Sequence, residues 1–356
     1  MNKVIIIAEA GVNHNGDEEL AFKLVDAAVD AGADIVKFQT FKTENIVTKD
    51  APKAGYQKIS SPSSESQYTM LKKLELSHEM HYKLASYCDD KGIQFLSTAF
   101  DFDSLHFLLN NLGLKVLKIP SGEITNGPLI LSHARTKSDL IVSTGMATVD
   151  EIEDALGVIA FGFLNGKSPN RDAFKAAYHS NAGQEILREK VTLLHCTSEY
   201  PAPFEDINLN AMLTMKTKFD LPIGYSDHSQ GITVPIAAAS LGAVIIEKHF
   251  TLDKKMLGPD HASSLEPNEL KAMVEAIRVI ELVLGDGVKK PGASELNNRN
   301  ITRKSLVAAT NIEEGEIFTS ENVSIKRPGT GIQPLHYWDV LGRKSTKSYL
   351  ADELLS

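Results

Sequence analysis

The sequence predicts an α/β chain: a (β/α)8 barrel of the TIM type, followed by a small C-terminal β-rich domain. Three observations carry this prediction. Eight short β-rich apolar runs alternate with helix-like stretches over about the first 285 residues. The runs are nearly continuous in apolar residues instead of alternating, as befits parallel strands buried on both faces. No GxGxxG follows the first run, so the structural rival, a doubly wound open sheet, lacks its usual signature.

The strands are expected to begin near Val4, Asp34, Gln94, Lys115, Leu140, Val191, Leu221 and Ala243. Between them lie helical patterns with readable ends. Leu20, Leu24 and Ala28, with Ala21, Val25 and Val29, form one apolar stripe, and Gly32 follows as a stop. Ser77 opens a segment that sets Leu84, Ala85 and Cys88 on one side. Thr148 and Glu151 have the spacing of a capping box ahead of Ile152, Ala155 and Leu156. Pro267 sits near a first turn, with Leu270, Val274, Ile277 and Leu284 behind it and Gly285 as the end. Two connections are long. Residues 41–70 are polar and read as a lid or partner-contact loop, and residues 160–189, rich in Asn, Ser and Gly, read as a peripheral excursion. The texture changes near Val288. The expected division is a barrel over 1–287, a linker over 288–300 and a small β-rich domain over 301–356, with Trp338 in its core.

The length of 356 residues suits one large domain and one small one. With 42% apolar and 23% charged residues the composition is that of a globular chain. A net charge of −9 without a long Lys/Arg run argues against nucleic-acid and membrane-surface binding. Two cysteines, Cys88 and Cys196, make no disulfide framework, and a reducing compartment is the default. The opening apolar run is too short for a signal segment, and no stretch reaches the roughly 18–20 apolar residues of a membrane span. A cytoplasmic location is the expectation.

Barrel active sites lie at the C-terminal ends of the strands. There the sequence sets Glu9, Lys37 with Gln39, Ser97 with Thr98, Lys118 with Ser121 and Glu123, Ser143, His195 with Ser198, Ser226 with His228, and Glu247-Lys248-His249. Charged and imidazole groups inside a barrel are expensive unless they work together. Lys37 and Lys118, with the nearby hydroxyls, suit a phosphate or a phosphorylated carboxylate. His228 and His249, on neighbouring strand ends, suit a shared divalent metal with open positions. Glu9, Glu123 and Asp260 are the carboxylates available for proton transfer or sugar hydroxyls. His14 lies in an Asn-Gly turn, where it is either a brace or a ligand. Cys196 reads as a small core residue, and His78, His81, His106, His133 and His179 read as inert surface residues.

The motifs AEAGVNHNGD (8–17), VKFQTF (36–41), FLSTAFD (95–101), KIPSGEI (118–124), STGMAT (143–148), LLHCTSEYPAP (194–203), GYSDHS (224–229), IEKHFTLDK (246–254) and GPDH (258–261) stand in one order. On these the chain resembles the bacterial sialic acid synthases, and KRPGTGI (326–332) resembles their antifreeze-like (SAF) domain. The likeness runs the whole length except the 160–189 insert. It implies an enzyme that condenses phosphoenolpyruvate with an N-acetylated amino sugar, releasing phosphate by C–O cleavage. It implies that Lys37, Thr98, Lys118, Ser121, Ser143, Ser226 and His228 hold phosphoenolpyruvate. His228 and His249 would hold Mn²⁺, with Mg²⁺ or Co²⁺ as substitutes. Glu123 would act in proton transfer or on the attacking water, and Gln39, Tyr200 and Asp260 would contact the sugar. Arg327 would reach the sugar's N-acetyl group in the partner's barrel, across a domain-swapped homodimer. Ser198 stands where some members have an Asn contact. N-acetylmannosamine is the first reading of the sugar, and 2,4-diacetamido-2,4,6-trideoxymannose, the legionaminic acid precursor, is the alternative. A metal-dependent pyruvate aldolase and a non-catalytic carbohydrate-binding protein are the more distant alternatives.

Overall fold

The computed structural model describes residues 3–55, 57 and 65–356. Two compact units emerge, one ending at Gly285 and the other spanning Asp286–Ser356. In the first, eight strands form a closed barrel in chain order: β1 (Ile5–Gly11), β2 (Ile35–Thr40), β3 (Gln94–Ala99), β4 (Val116–Ile119), β5 (Asp139–Ser143), β6 (Val191–Cys196), β7 (Ile223–Asp227) and β8 (Ile245–His249). Each pairs in parallel with the next, and β8 closes on β1. All eight begin within two residues of the positions expected from the sequence.

The two-residue period of the strand explains the interior. Ile7, Ile35, Leu96, Ile141, Leu194 and Ile245 form a buried cluster of their own within the barrel, with Val116 packed against it. On β7 the position belongs to Gly224, because a Cβ there would lie 2.5 Å from Leu194 Cδ2 and 2.6 Å from the Ile245 carbonyl oxygen. Residues of opposite parity, such as Ile6, Val36, Val142, Leu193 and Ile246, belong to the main core beneath the helices.

The helix ends follow their local chemistry. The helix Glu18–Ala31 starts where Asp17 accepts from the Leu20 amide, and it stops at left-handed Gly32, φ 78°. Ser77 caps His78–Lys91 by accepting from the Met80 amide. Thr148 and Glu151 form the expected capping box on Val149–Phe163, and Pro267 opens Pro267–Val283.

One expectation needs correction here, and the two long connections gain detail. The 160–189 stretch is largely helical. It contains the end of Val149–Phe163 and then two helices, Arg171–His179 and Asn181–Lys190, each started by a polar cap, Asn170 and Ser180. The part of the 41–70 loop that is described carries the short helix Thr43–Ile46 and the start of Gln67–Lys72, while residues 56 and 58–64 lie outside the described residues. Two histidines expected at the surface, His81 and His133, are fully buried. His81 Nδ1 donates to the Ser77 carbonyl at 2.8 Å, and its Nε2 lies 2.7 Å from the Thr40 hydroxyl, which also bonds Ser97 Oγ at 2.7 Å. His133 Nδ1 donates to the Leu129 carbonyl at 2.9 Å.

Burial depresses both imidazoles from 6.5 to about 4. The unfolded chain therefore binds protons that the native state refuses between those values. Stability is full above pH 6.5 and falls as pH drops toward 4, by about 1.4 kcal/mol per pH unit for each such histidine. His133→Gln is expected to flatten that slope by one histidine's share in urea titrations at pH 6.5, 5.5 and 4.5.

In the second unit the stretch read as a linker carries a helix, Ala293–Thr302. Beyond it β9 (Ser305–Ala308) pairs antiparallel with β10 (Val323–Lys326). Leu306, Ile312, Phe318, Tyr349 and Leu355 belong to the core of the unit. Trp338, expected in that core, is 76% exposed, because the turn Tyr337–Val340 buries Val340 and directs Trp338 away from it.

Candidate active site

Two residues beyond the apolar ring, each strand presents its next inward side chain. Four of these eight are charged: Glu9, Lys37, Lys118 and Glu247. The other four are Thr98, Ser143, Cys196 and Ser226. All eight are buried. Lys37 Nζ lies 2.7 Å from Glu9 Oε2 and 3.6 Å from Glu247 Oε2, and it donates to Thr98 Oγ1 at 2.9 Å. Lys118 Nζ donates to Ser143 Oγ at 2.7 Å and to Glu247 Oε1 at 3.3 Å. Ser226 Oγ donates to that same Glu247 oxygen at 3.0 Å.

The electrostatics follow from who touches whom. Burial alone would raise Glu247, but Lys118 and Lys37 outweigh it and hold the carboxyl down at about 2. Glu9 has Lys37 as its one contacting cation and faces the charge of Glu247, so burial prevails and lifts it to about 7. Lys118 is pushed down, chiefly by burial. Lys37 is raised, because the two carboxylates overcome its burial.

Two residues further on lies the mouth proper, with Gln39, Ser198, His228 and His249. His228 Nδ1 donates to the Thr197 carbonyl at 2.7 Å, which puts the lone pair on Nε2, 3.1 Å from the Tyr200 hydroxyl. The Tyr200 ring lies 4.2 Å from that of His228, tilted by 32°, and the two imidazoles are 5.5 Å apart, centre to centre. His249 Nδ1 is buried without a hydrogen bond, 3.7 Å from Asp260 Oδ2. Burial brings His228 down to about 4 and His249 well below its ordinary value, so both rings are neutral, as metal ligation requires. Two neutral imidazoles side by side, one with an unpartnered buried nitrogen, fit a divalent cation.

Gly145 packs closely on Ser121, Cys196 and Ser198. The Gly145 amide donates to Ser121 Oγ at 3.0 Å, and Ser121 Oγ lies 3.0 Å from Cys196 Sγ. A Cβ on Gly145 would sit 2.2 Å from Ser198 Oγ and 2.7 Å from Cys196 Sγ.

These groups line a cavity of about 320 Å³. An adjoining cavity of about 280 Å³ shares Gln39, Phe100, Tyr200 and His249 with it and adds Glu123 and Asp260. Glu123 Oε2 there accepts from Asn126 Nδ2 at 2.6 Å, and burial lifts Asp260 to about 6. A third cavity, about 340 Å³ between the helices Val149–Phe163 and Arg171–His179, includes no residue of the mouth.

The structure thus brings together Glu9, Lys37, Gln39, Thr98, Lys118 and Ser121 with Ser143, Ser198, Tyr200, Ser226, His228 and His249, and it sets Glu123 and Asp260 next door. Several groups named at the strand ends face elsewhere. Ser97 joins the Thr40–His81 network, and His195 Nε2 bonds the Ile207 carbonyl at 2.8 Å outside the barrel. Both have the outward parity of their strands. Lys248 is also outward, fully buried against Asp227 at 2.6 Å. Cys196 is buried as expected, but it faces the mouth. His14 is a brace: its Nδ1 accepts from the Gly16 amide at 2.9 Å. Arg327 belongs to the second unit, exposed, with its Nε donating to the Thr302 carbonyl at 3.0 Å. Sequence reasoning placed Glu247 at its strand end but gave it no role, although it shares the inward parity of His249.

Fold and mouth together define a (β/α)8 barrel of the enzyme type, with charged and hydroxyl side chains gathered at the C-terminal ends of its strands. The NeuB family profile matches residues 24–289 and the SAF domain profile residues 303–356, and the chain belongs to the NeuB family. An N,N'-diacetyllegionaminic acid synthase of Campylobacter jejuni is 50% identical over 355 residues, 100% of this chain and 99% of its own. One of Legionella pneumophila is 46% identical over 350 residues, 98% of this chain and 92% of its own. Among solved structures, the N-acetylneuraminic acid (sialic acid) synthetase of Leptospira borgpetersenii in complex with citrate is 35% identical with a TM-score of 0.67, over 83% of this chain and 90% of that one. No described helix is long and apolar enough to cross a membrane.

Proposed function

We propose that the protein condenses phosphoenolpyruvate with 2,4-diacetamido-2,4,6-trideoxymannose and water, giving N,N'-diacetyllegionaminate and phosphate. The observation that carries the reaction class is the pair of buried lysines, Lys37 and Lys118, among hydroxyls at the barrel mouth. The sugar, the alternative in the sequence reading, is favoured over N-acetylmannosamine by the two legionaminic acid synthases at 50% and 46% identity.

In this reading Lys37, Lys118 and the hydroxyls of Thr98, Ser143 and Ser226 bind the phosphate and carboxylate, and Glu9 and Glu247 position the two ammoniums. Ser198 serves the same anion through its hydroxyl. His228 and His249 would hold a divalent cation, Mn²⁺ first among candidates, which when bound supplies Lewis-acid polarisation of the sugar aldehyde. Gln39, Tyr200 and Asp260 orient the open-chain sugar. C3 of phosphoenolpyruvate bonds the aldehyde carbon, whose oxygen takes the π pair and picks up a proton from solvent to become a hydroxyl, and water adds to C2. Glu123 takes that water's proton at Oε1, its Oε2 being engaged by Asn126. The C2–O bond to phosphate then breaks, and phosphate leaves with the bonding pair.

The test is phosphate release with each sugar in turn, run in H₂¹⁸O with and without EDTA. Release with the diacetamido sugar, and label in the ketose instead of the phosphate, are the expected results. Release with neither sugar overturns the reading. Arg327's role in a domain-swapped dimer is tested by light scattering, where an active monomer removes it.

The close packing at Gly145 gives a sharper expectation. Gly145→Ala puts a methyl group into the space of Ser198 and Ser121, so the KM for phosphoenolpyruvate is expected to rise at least about tenfold. A KM within twofold of wild type would take the anion away from the Ser121 and Ser198 hydroxyls.

A further inference from the structure

The two histidines of the mouth are held in different ways. His228 is oriented through its ring, whose Nδ1 donates to the Thr197 carbonyl. The ring of His249 has no such bond to any described residue: its Nδ1 is buried without a hydrogen bond, 3.7 Å from Asp260 Oδ2. A ligating imidazole is usually oriented by a hydrogen bond from its other nitrogen. For His249 the orientation must come from the main chain instead, and β8 ends at that very residue.

The main chain there is tied down by a residue from the other side of the closure, just after β1. The His249 carbonyl accepts from the Leu265 amide at 2.9 Å, and the next carbonyl, of Phe250, accepts from Asn13 Nδ2 at 2.7 Å. The same Nδ2 donates to Ser264 Oγ at 2.9 Å, and Ser264 Oγ donates to the Asp260 carbonyl at 2.7 Å. Chemistry fixes these directions. A carbonyl only accepts, so the Asn13 atom facing Phe250 is the amide nitrogen. Ser264 Oγ accepts from that nitrogen and has its one proton left for Asp260. Asn13 and Ser264 are both buried, and Asn13 Oδ1 has no partner at all. One side-chain amide thus spans the connection 250–260, from the residue after His249 to the main chain of Asp260.

We propose that Asn13 is a positioning residue for the divalent-cation site, holding His249 against Asp260, with Ser264 as the relay. The proposal rests on the reading of His228 and His249 as metal ligands and adds a residue that touches neither ring. The Asn13 side chain bonds none of the groups around Lys37 and Lys118, so its loss should leave the anion's binding alone.

The experiment titrates the full-length protein, stripped with EDTA and dialysed, with Mn²⁺ alone, following free Mn²⁺ by its paramagnetic resonance signal. Asn13→Ala is expected to raise the Mn²⁺ Kd about ten- to a hundredfold, and Ser264→Ala to raise it about tenfold. The Kd for phosphoenolpyruvate, measured without metal by equilibrium dialysis, should stay within twofold of wild type in both. Ser263→Ala is the control, because Ser263 Oγ donates to the same Asp260 carbonyl at 3.0 Å without touching Asn13. It should leave the Mn²⁺ Kd within twofold. A folded Asn13→Ala variant with the wild-type Mn²⁺ Kd overturns the proposal. So does an equal loss of phosphoenolpyruvate binding, which would mark a general collapse of the mouth, or a Ser263→Ala effect as large as that of Ser264→Ala. Should Asn13→Ala fail to fold, Ser264→Ala against Ser263→Ala decides. A wild-type protein that binds no Mn²⁺ overturns the metal reading itself, and this proposal with it.

Discussion

Lys118→Ala is expected to lower kcat/KM for phosphoenolpyruvate about a thousandfold, or ~4 kcal/mol of transition-state stabilisation. The ammonium is buried, donates to Ser143 and touches Glu247, and no other cation occupies β4 or β5. Water cannot replace it cheaply at the bottom of a barrel, where a preorganised donor is worth most. Its loss also leaves Glu247 with Lys37 at 3.6 Å and the Ser226 hydroxyl as its remaining polar partners. A fall in stability is therefore expected alongside, and thermal unfolding separates the two effects. The check is initial-rate phosphate release with the sugar saturating. A folded variant that keeps more than a tenth of the wild-type value would show that the anion does not rest on Lys118, and would return the aldolase to consideration.

The second large effect lies outside the barrel. Lys248 and Asp227 are both fully buried, 2.6 Å apart, between the strands and the helices. Asp227 Oδ1 accepts from the Ser229 amide at 3.0 Å, and Lys248 Nζ also donates to the Ser229 carbonyl. The pair thus grips the residues on either side of His228. Lys248→Met strands a buried carboxylate, and the expected cost is about 3–5 kcal/mol in urea unfolding. Adding Asp227→Leu removes the stranded charge and should restore most of that loss. Activity should not return with stability, because Ser229 has then lost the holders of both its amide and its carbonyl. A double variant that regained both would show that the pair serves the fold alone.

The barrel was legible because eight parallel strands buried on both faces leave eight apolar runs, and because helix caps such as Asp17, Ser77 and Thr148 are local signals. The site was legible because Lys37, Lys118, His228 and His249 are residue types that a barrel interior does not otherwise tolerate. What was lost was parity. Ser97, His195 and Lys248 look as functional in one dimension as their neighbours, but each has the outward phase of its strand. Counting in twos from Ile7, Ile35 and Ile245 would have removed them and set Glu247, named at its strand end without a role, among the inward groups. Other features had no local signal. His81 and His133 are buried by helices packing on the barrel, and Trp338 is exposed by the orientation of a single turn. The small apolar cluster of Val12, Phe41, Met70 and Leu74 is assembled from segments far apart in the chain, each of which reads as ordinary core.

The phase of β8 also decides which changes in gene length this protein survives. Deleting the codon of Ile246 would turn Lys248 into the mouth and swing Glu247 and His249 out against the helices. The deletion would remove both lysines' shared counter-charge and one imidazole at once, and it would leave Asp227 facing an imidazole instead of an ammonium. No single substitution nearby reverses that exchange. Codon gains and losses can persist only where no alternation is at stake, as in the connection between β5 and β6, whose two extra helices lengthen the chain without shifting the phase of any strand.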